Sequence, residues 1–61
     1  MIYDKIKKVA DEKGISIRKI ELETGTTPGS IYHWNEVKPS VDKVLKVAKY
    51  LNITVEKLLE E

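Results

Sequence analysis

Three times in this chain a residue suited to ending a helix stands two places before one suited to starting the next. The triplets are Gly14-Ile15-Ser16, Gly25-Thr26-Thr27 and Asn52-Ile53-Thr54. Glycine and asparagine tolerate the left-handed backbone that closes a helix, and a serine or threonine hydroxyl accepts a free N–H of the first turn. A further start stands at Lys38-Pro39-Ser40, with Ser40 as N-cap. Punctuation this dense cuts the chain into helices too short to be stable alone, so each must bury an apolar face against the others.

The apolar spacing agrees. Ile2, Ile6, Val9 and Ala10 recur at helical intervals and predict a helix over 2–13. Asp4–Lys8 and Lys8–Glu12 are expected as i,i+4 pairs on its wet side. Ser16 opens a second helix with Ile17, Ile20 and Thr24 on one side, and Gly25 ends it. Thr27 is then the expected N-cap of a third helix, with Pro28 at its first position, where a missing N–H costs nothing. Ile31 and Trp34 form its buried edge. Val41, Val44, Leu45, Val47, Ala48 and Leu51 give a fourth helix a broad apolar face, with Asp42–Lys46 paired outside. Val55, Leu58 and Leu59 of a fifth are expected to close the core, and the like charges of Glu56 and Glu60 to loosen its end. No strand-like alternation lasts. The expected class is all-α: five short helices in a single domain over residues 1–61.

Bulk properties narrow the function. A chain of 61 residues buries only about 60% of the surface its unfolded form exposes, and has no room for a second catalytic or sensing domain. With no cysteine and one histidine, no disulfide framework, metal site or other cofactor is expected. No paired carboxylates, nucleophile–base pair or phosphate loop can be assembled, so the chain does not read as an enzyme. No apolar run approaches a membrane span, and lysine and aspartate interrupt the first ten residues where a signal peptide would need an apolar core. The expected location is the cytoplasm, where the sequon Asn52-Ile53-Thr54 has no meaning. Net charge is only +1, so any affinity for nucleic acid must come from where the charges lie.

The run Ile15-Ser16, Gly25, Ile31 and Trp34, followed by Pro39-Ser40, Val44, Val47-Ala48, Leu51-Asn52-Ile53 and Leu58-Leu59, resembles the phage-repressor helix-turn-helix family (Cro/lambda-repressor-like, XRE). The likeness covers nearly the whole chain, with the helix-turn-helix motif at about 16–35. It implies a compact five-helix domain whose third helix enters the DNA major groove. Four positions depart from the family pattern. Ile17 stands where many members have a phosphate-binding glutamine, and Glu21 where a small residue is usual at the crossing of the motif helices. Pro28 and Gly29 replace glutamine-like base readers.

With Ile31 and Trp34 inward, the outward base-reading candidates are Thr27, Pro28, Gly29, Ser30, Tyr32 and His33. The Pro28 ring suits a thymine methyl, and Gly29 permits close backbone approach. Ser30 suits a phosphate or base edge, Tyr32 a phosphate, and His33 a guanine edge or a phosphate. No Arg, Asn or Gln is among them, so modest base specificity is expected. Phosphates are expected at the starts of the second, third and fourth helices, whose free N–H groups suit anions. The side chains expected to help are Ser16, Arg18 and Lys19 at the second-helix start, Asn35 and Lys38 after the third helix, and Ser40 and Lys43 at the opening of the fourth. Leu22 points off its helix's inner face and is expected to be exposed or partly buried.

The implied partner is double-stranded DNA, and the implied role transcriptional regulation, chiefly repression. The resemblance also implies a homodimer joined through residues 55–61 or the loop before the fourth helix, weak and formed mainly on DNA. No small-molecule ligand is implied. The alternative, favoured by the near-neutral charge and by Ile17 and Glu21, is an interaction module (antirepressor or partner subunit) that keeps the fold without binding DNA.

Overall fold

The helix stops fall where the punctuation puts them. In the computed structural model, which describes residues 1–59, α1 spans Ile2–Lys13, α2 Ile17–Thr24, α3 Val41–Leu51 and α4 Val55–Leu59. Gly14, Gly25 and Asn52 are all left-handed, with φ of 72°, 72° and 59°. Ser16 Oγ accepts from the Lys19 N–H at 3.0 Å and Thr54 Oγ1 from that of Lys57 at 3.1 Å. Ser40 caps α3 more loosely, at 3.4 Å from Lys43 N. The start of α1 has no cap of its own, since Met1 offers no acceptor side chain. Asn35 supplies one from across the fold: its Oδ1 accepts from Tyr3 N at 2.9 Å, and its Nδ2 donates to Asp4 Oδ1 at 3.1 Å.

The four helices close on one core. Ile6, Ile20, Ile31, Val47, Leu51 and Leu58 are fully enclosed, and Trp34 is buried among them. On α3 the buried stripe is narrower than expected. Val44, Val47, Ala48 and Leu51 repeat at i, i+3, i+4 and i+7 and face in, whereas Leu45 and Val41 are exposed. Leu45 lies one 100° step off the stripe, and Val41 sits in the first turn, beyond the core's edge. The same step turns Leu59 outward beside the buried Leu58. Ile2, Ile15, Ile53 and Val55 pack on the margin. Leu22 is exposed.

The expected surface ion pairs are not the one that forms. Among the described residues the pair is Lys7–Asp11, 2.8 Å apart, and its hydrogen bond and charge raise the Lys7 pKa above the usual lysine value. Asp4–Lys8, Lys8–Glu12 and Asp42–Lys46 are not in contact, and Asp4 is engaged by Asn35 instead. Exposed pairs gain so little over side-chain entropy that helical spacing alone does not bring them together. The Glu56–Glu60 pair involves Glu60, which lies outside the described residues.

The largest departure is the third helix. Pro28 does not open it. Thr27 O accepts from Ser30 N at 3.0 Å, and Gly29 between them has φ 86°. A proline ring holds φ near −65°, which excludes the primed turns, so residues 27–30 form a type II turn with Pro28 at i+1 and Gly29 at i+2. A left-handed Gly29 cannot lie inside an α-helix. Only a 3-10 segment, Ile31–His33, follows, and it runs on through further tight turns to Val37. Among the described residues there are therefore four α-helices and a 3-10 segment rather than five helices. Among the described residues there is no strand, and no helix is long and apolar enough to cross a membrane.

Candidate nucleic-acid interface

The segment between α2 and α3 is built outward from two anchors. Ile31 has no exposed surface and Trp34 almost none, so both plug the core as their spacing requires. Between and before them, Thr27, Pro28, Tyr32 and His33 are exposed, while Gly29 and Ser30 are half-buried. The turn and the 3-10 segment thus present one continuous outer edge. Tyr32 is shared between two surfaces. Its ring rests on Tyr3 of α1, with centroids 5.4 Å apart and planes tilted by 40°, yet about half of the residue stays exposed.

A carboxylate holds this edge from beneath. Glu21 of α2 is only 1% exposed, and its Oε2 accepts from Gly29 N at 2.9 Å and from Ile31 N at 3.3 Å. A buried carboxylate is tolerated only where such donors meet it. The consequence reverses one expectation. Two of the amides that were to greet a phosphate at the third helix start are already bound to the protein's own anion. In the sequence Glu21 stands out only as a departure from the family pattern, with no role attached. The available signal was its position: it follows Ile17 by four residues on the inner stripe of α2, where a charge demands a partner.

The remaining candidates divide into two groups. Ser30, His33, Trp34, Val37 and Lys43 line one surface recess, which brings the outer edge next to the start of α3 and its cap Ser40. Lys38, exposed, precedes that cap in the sequence. Ser16, Arg18 and Lys19 stand exposed at the start of α2, where the Ser16 hydroxyl is occupied as a cap acceptor but keeps its proton to donate. Ile17, in place of the family's usual glutamine, is buried and belongs to the core. Asn35 stands apart from both groups, because its side chain is already bonded to Tyr3 and Asp4. Glu36 is the exposed acid beside Lys38. Among the described residues no cluster of side chains suits a metal ion.

A protein-family model described as helix-turn-helix matches residues 6–58, a span that begins and ends on the core residues Ile6 and Leu58. No curated protein and no solved structure matches the chain significantly. The matched family consists of DNA-binding transcriptional regulators, not enzymes. With α2, the Gly25 turn and the anchored segment after it inside a match that covers nearly the whole chain, the protein belongs to the Cro/C1-type helix-turn-helix (XRE) family.

Proposed function

We propose that this protein binds double-stranded DNA by setting residues 27–33 into the major groove, and that it acts as a transcriptional repressor. The observation that carries the proposal is the division of this segment. Ile31 and Trp34 fix it to the core while Thr27, Pro28, Tyr32 and His33 face outward. Pro28 offers an apolar face to a thymine methyl, and His33 and Ser30 offer donors to base edges or phosphates. Gly29, without a side chain, lets the backbone come close. Lys38, Ser40 and Lys43 on one side and Ser16, Arg18 and Lys19 on the other hold the sugar–phosphate backbone, helped by the free N–H groups at the starts of α2 and α3. Asn35 is left to its cap on α1. Lacking Arg, Asn or Gln at the outer edge, the protein discriminates bases modestly and draws part of its preference from DNA shape.

A single small module buries little DNA surface, so binding to two half-sites as a two-fold dimer is part of the proposal. The contact with a second copy lies at the mainly apolar groove lined by Ile2, Pro39, Val41, Val44, Val55 and Leu59 together with Lys38, where Val41 and Leu59 are exposed. The dimer is weak and forms on DNA. Sedimentation of the free protein at low micromolar concentration should show a monomer.

The test is binding to mixed-sequence duplex DNA across a salt series. Neutralising about five phosphates gives a log–log slope of about −4 to −5. His33→Ala combined with Lys38→Ala weakens binding with an unchanged melting temperature. No binding at about 50 mM salt, where phosphate contacts are strong, leaves the interaction module as the better description.

A further inference from the structure

We propose that Glu21 is the positioning residue of the DNA-reading turn: a buried carboxylate that fixes how residues 27–30 are presented, and so sets base discrimination without touching DNA. The inference rests on the DNA-binding function proposed above and deepens it. Glu21 reaches from α2 to residues eight and ten places further along the chain. The two N–H groups it accepts flank Ser30, whose own N–H is bound to Thr27 O. Three successive amides, those of Gly29, Ser30 and Ile31, are therefore tied down. Among the described residues no buried side-chain nitrogen or oxygen lacks a partner, so the carboxylate and the turn satisfy each other.

Besides the turn's own Thr27–Ser30 bond and the Ile31 anchor, Glu21 is the side chain that holds the turn amides among the described residues. Thr27 and Pro28 are exposed, and beyond its chain neighbours nothing lies within 4 Å of where a Gly29 Cβ would stand. Glycine also has more backbone freedom than any other residue, so a turn released from Glu21 samples many orientations. The carboxylate has a second effect. By filling the amide seat it keeps a DNA phosphate out, which leaves the turn facing base edges rather than the backbone. A residue that orders the reading surface in this way acts on the difference between right and wrong sequences. Phosphate contacts act on both alike.

The experiment uses the full chain as wild type, Glu21→Met and Glu21→Gln. Methionine fills the same space with no oxygen to accept the turn amides; glutamine keeps a carbonyl oxygen at the same reach. A duplex is first selected from a random pool with wild type. Each protein is then measured on that duplex and on a scrambled one, together with hydrogen exchange at Gly29, Ile31 and Val47. Hydrogen bonds to a charged acceptor predict that Glu21→Met lowers the selected-to-scrambled affinity ratio by about tenfold or more. The salt slope on scrambled DNA stays unchanged, and protection is lost at Gly29 and Ile31 but kept at Val47. Glu21→Gln retains more of the ratio. Should Glu21→Met fail to fold, Glu21→Ala, which lets water reach the freed amides, carries the same prediction. Freed amides with an unchanged ratio overturn the role of Glu21, as does an equal loss on both duplexes. A wild type that selects no sequence overturns the DNA-reading function itself.

Discussion

Two residues carry structural duties that can be separated from the core. Gly29 holds φ at 86° in open space, so the cost of replacing it is conformational and not steric. Gly29→Ala is expected to destabilise the domain by about 1–2 kcal/mol, the cost of a left-handed L-residue. Gly29→Asn should cost less, because asparagine tolerates that region. Denaturant titration of the two variants ranks them, and equal stabilities would contradict the type II turn. Asn35 is the second case. Removing its side chain leaves the Tyr3 N–H without an acceptor and Asp4 without its donor. Asn35→Ala should cost about 1 kcal/mol, the usual loss for a missing N-cap. Hydrogen exchange should rise at the start of α1 and not in α3, although residue 35 is far from α1 in sequence.

At the scale of elements, the sequence was legible wherever the deciding interaction is local. The caps Ser16, Ser40 and Thr54 and the stops Gly14, Gly25 and Asn52 act over three to five residues, and every one forms as its chemistry requires. The anchors Ile31 and Trp34 were also legible, because burial at three-residue spacing suits a 3-10 segment as well as an α-helix. The third helix itself was not. A proline at the first helical position and one at i+1 of a type II turn have the same φ, so Pro28 could not distinguish them. Two facts decide it: the left-handed Gly29, and the Glu21 carboxylate arriving from α2. Neither follows from the spacing of apolar residues. Asn35 reads as a phosphate ligand in the sequence for a similar reason, since its partners on α1 are more than thirty positions away. The shortened element depends heavily on its anchors. Ile31→Ala, at a site with no exposed surface, should cost about 2–5 kcal/mol through the cavity it leaves, much of a small domain's stability. A melting curve that is unmoved would mean that the segment is not anchored there.

For the whole molecule, the arrangement of charge matters more than its total. The net charge is +1, yet exposed Arg18, Lys19, Lys38 and Lys43 stand near the starts of α2 and α3, where the exposed acids are Glu36 and Asp42, and the acid nearest the turn at 27–30, Glu21, is buried against backbone amides. A near-neutral protein can present a basic face in this way, although composition alone gives no sign of it. The proposed docking of this face is tested most directly by NMR titration of the full chain with mixed-sequence duplex DNA at low salt. The expected result is a set of shifted amides at residues 27 and 29–33, extending to Ser16, Lys38 and Lys43 and, as copies pair on DNA, to the groove around Val41 and Leu59, with α1's Lys7–Asp11 face unmoved. Shifts confined to the groove around Val41 and Leu59, or none at all, would contradict DNA binding through the Glu21-braced turn.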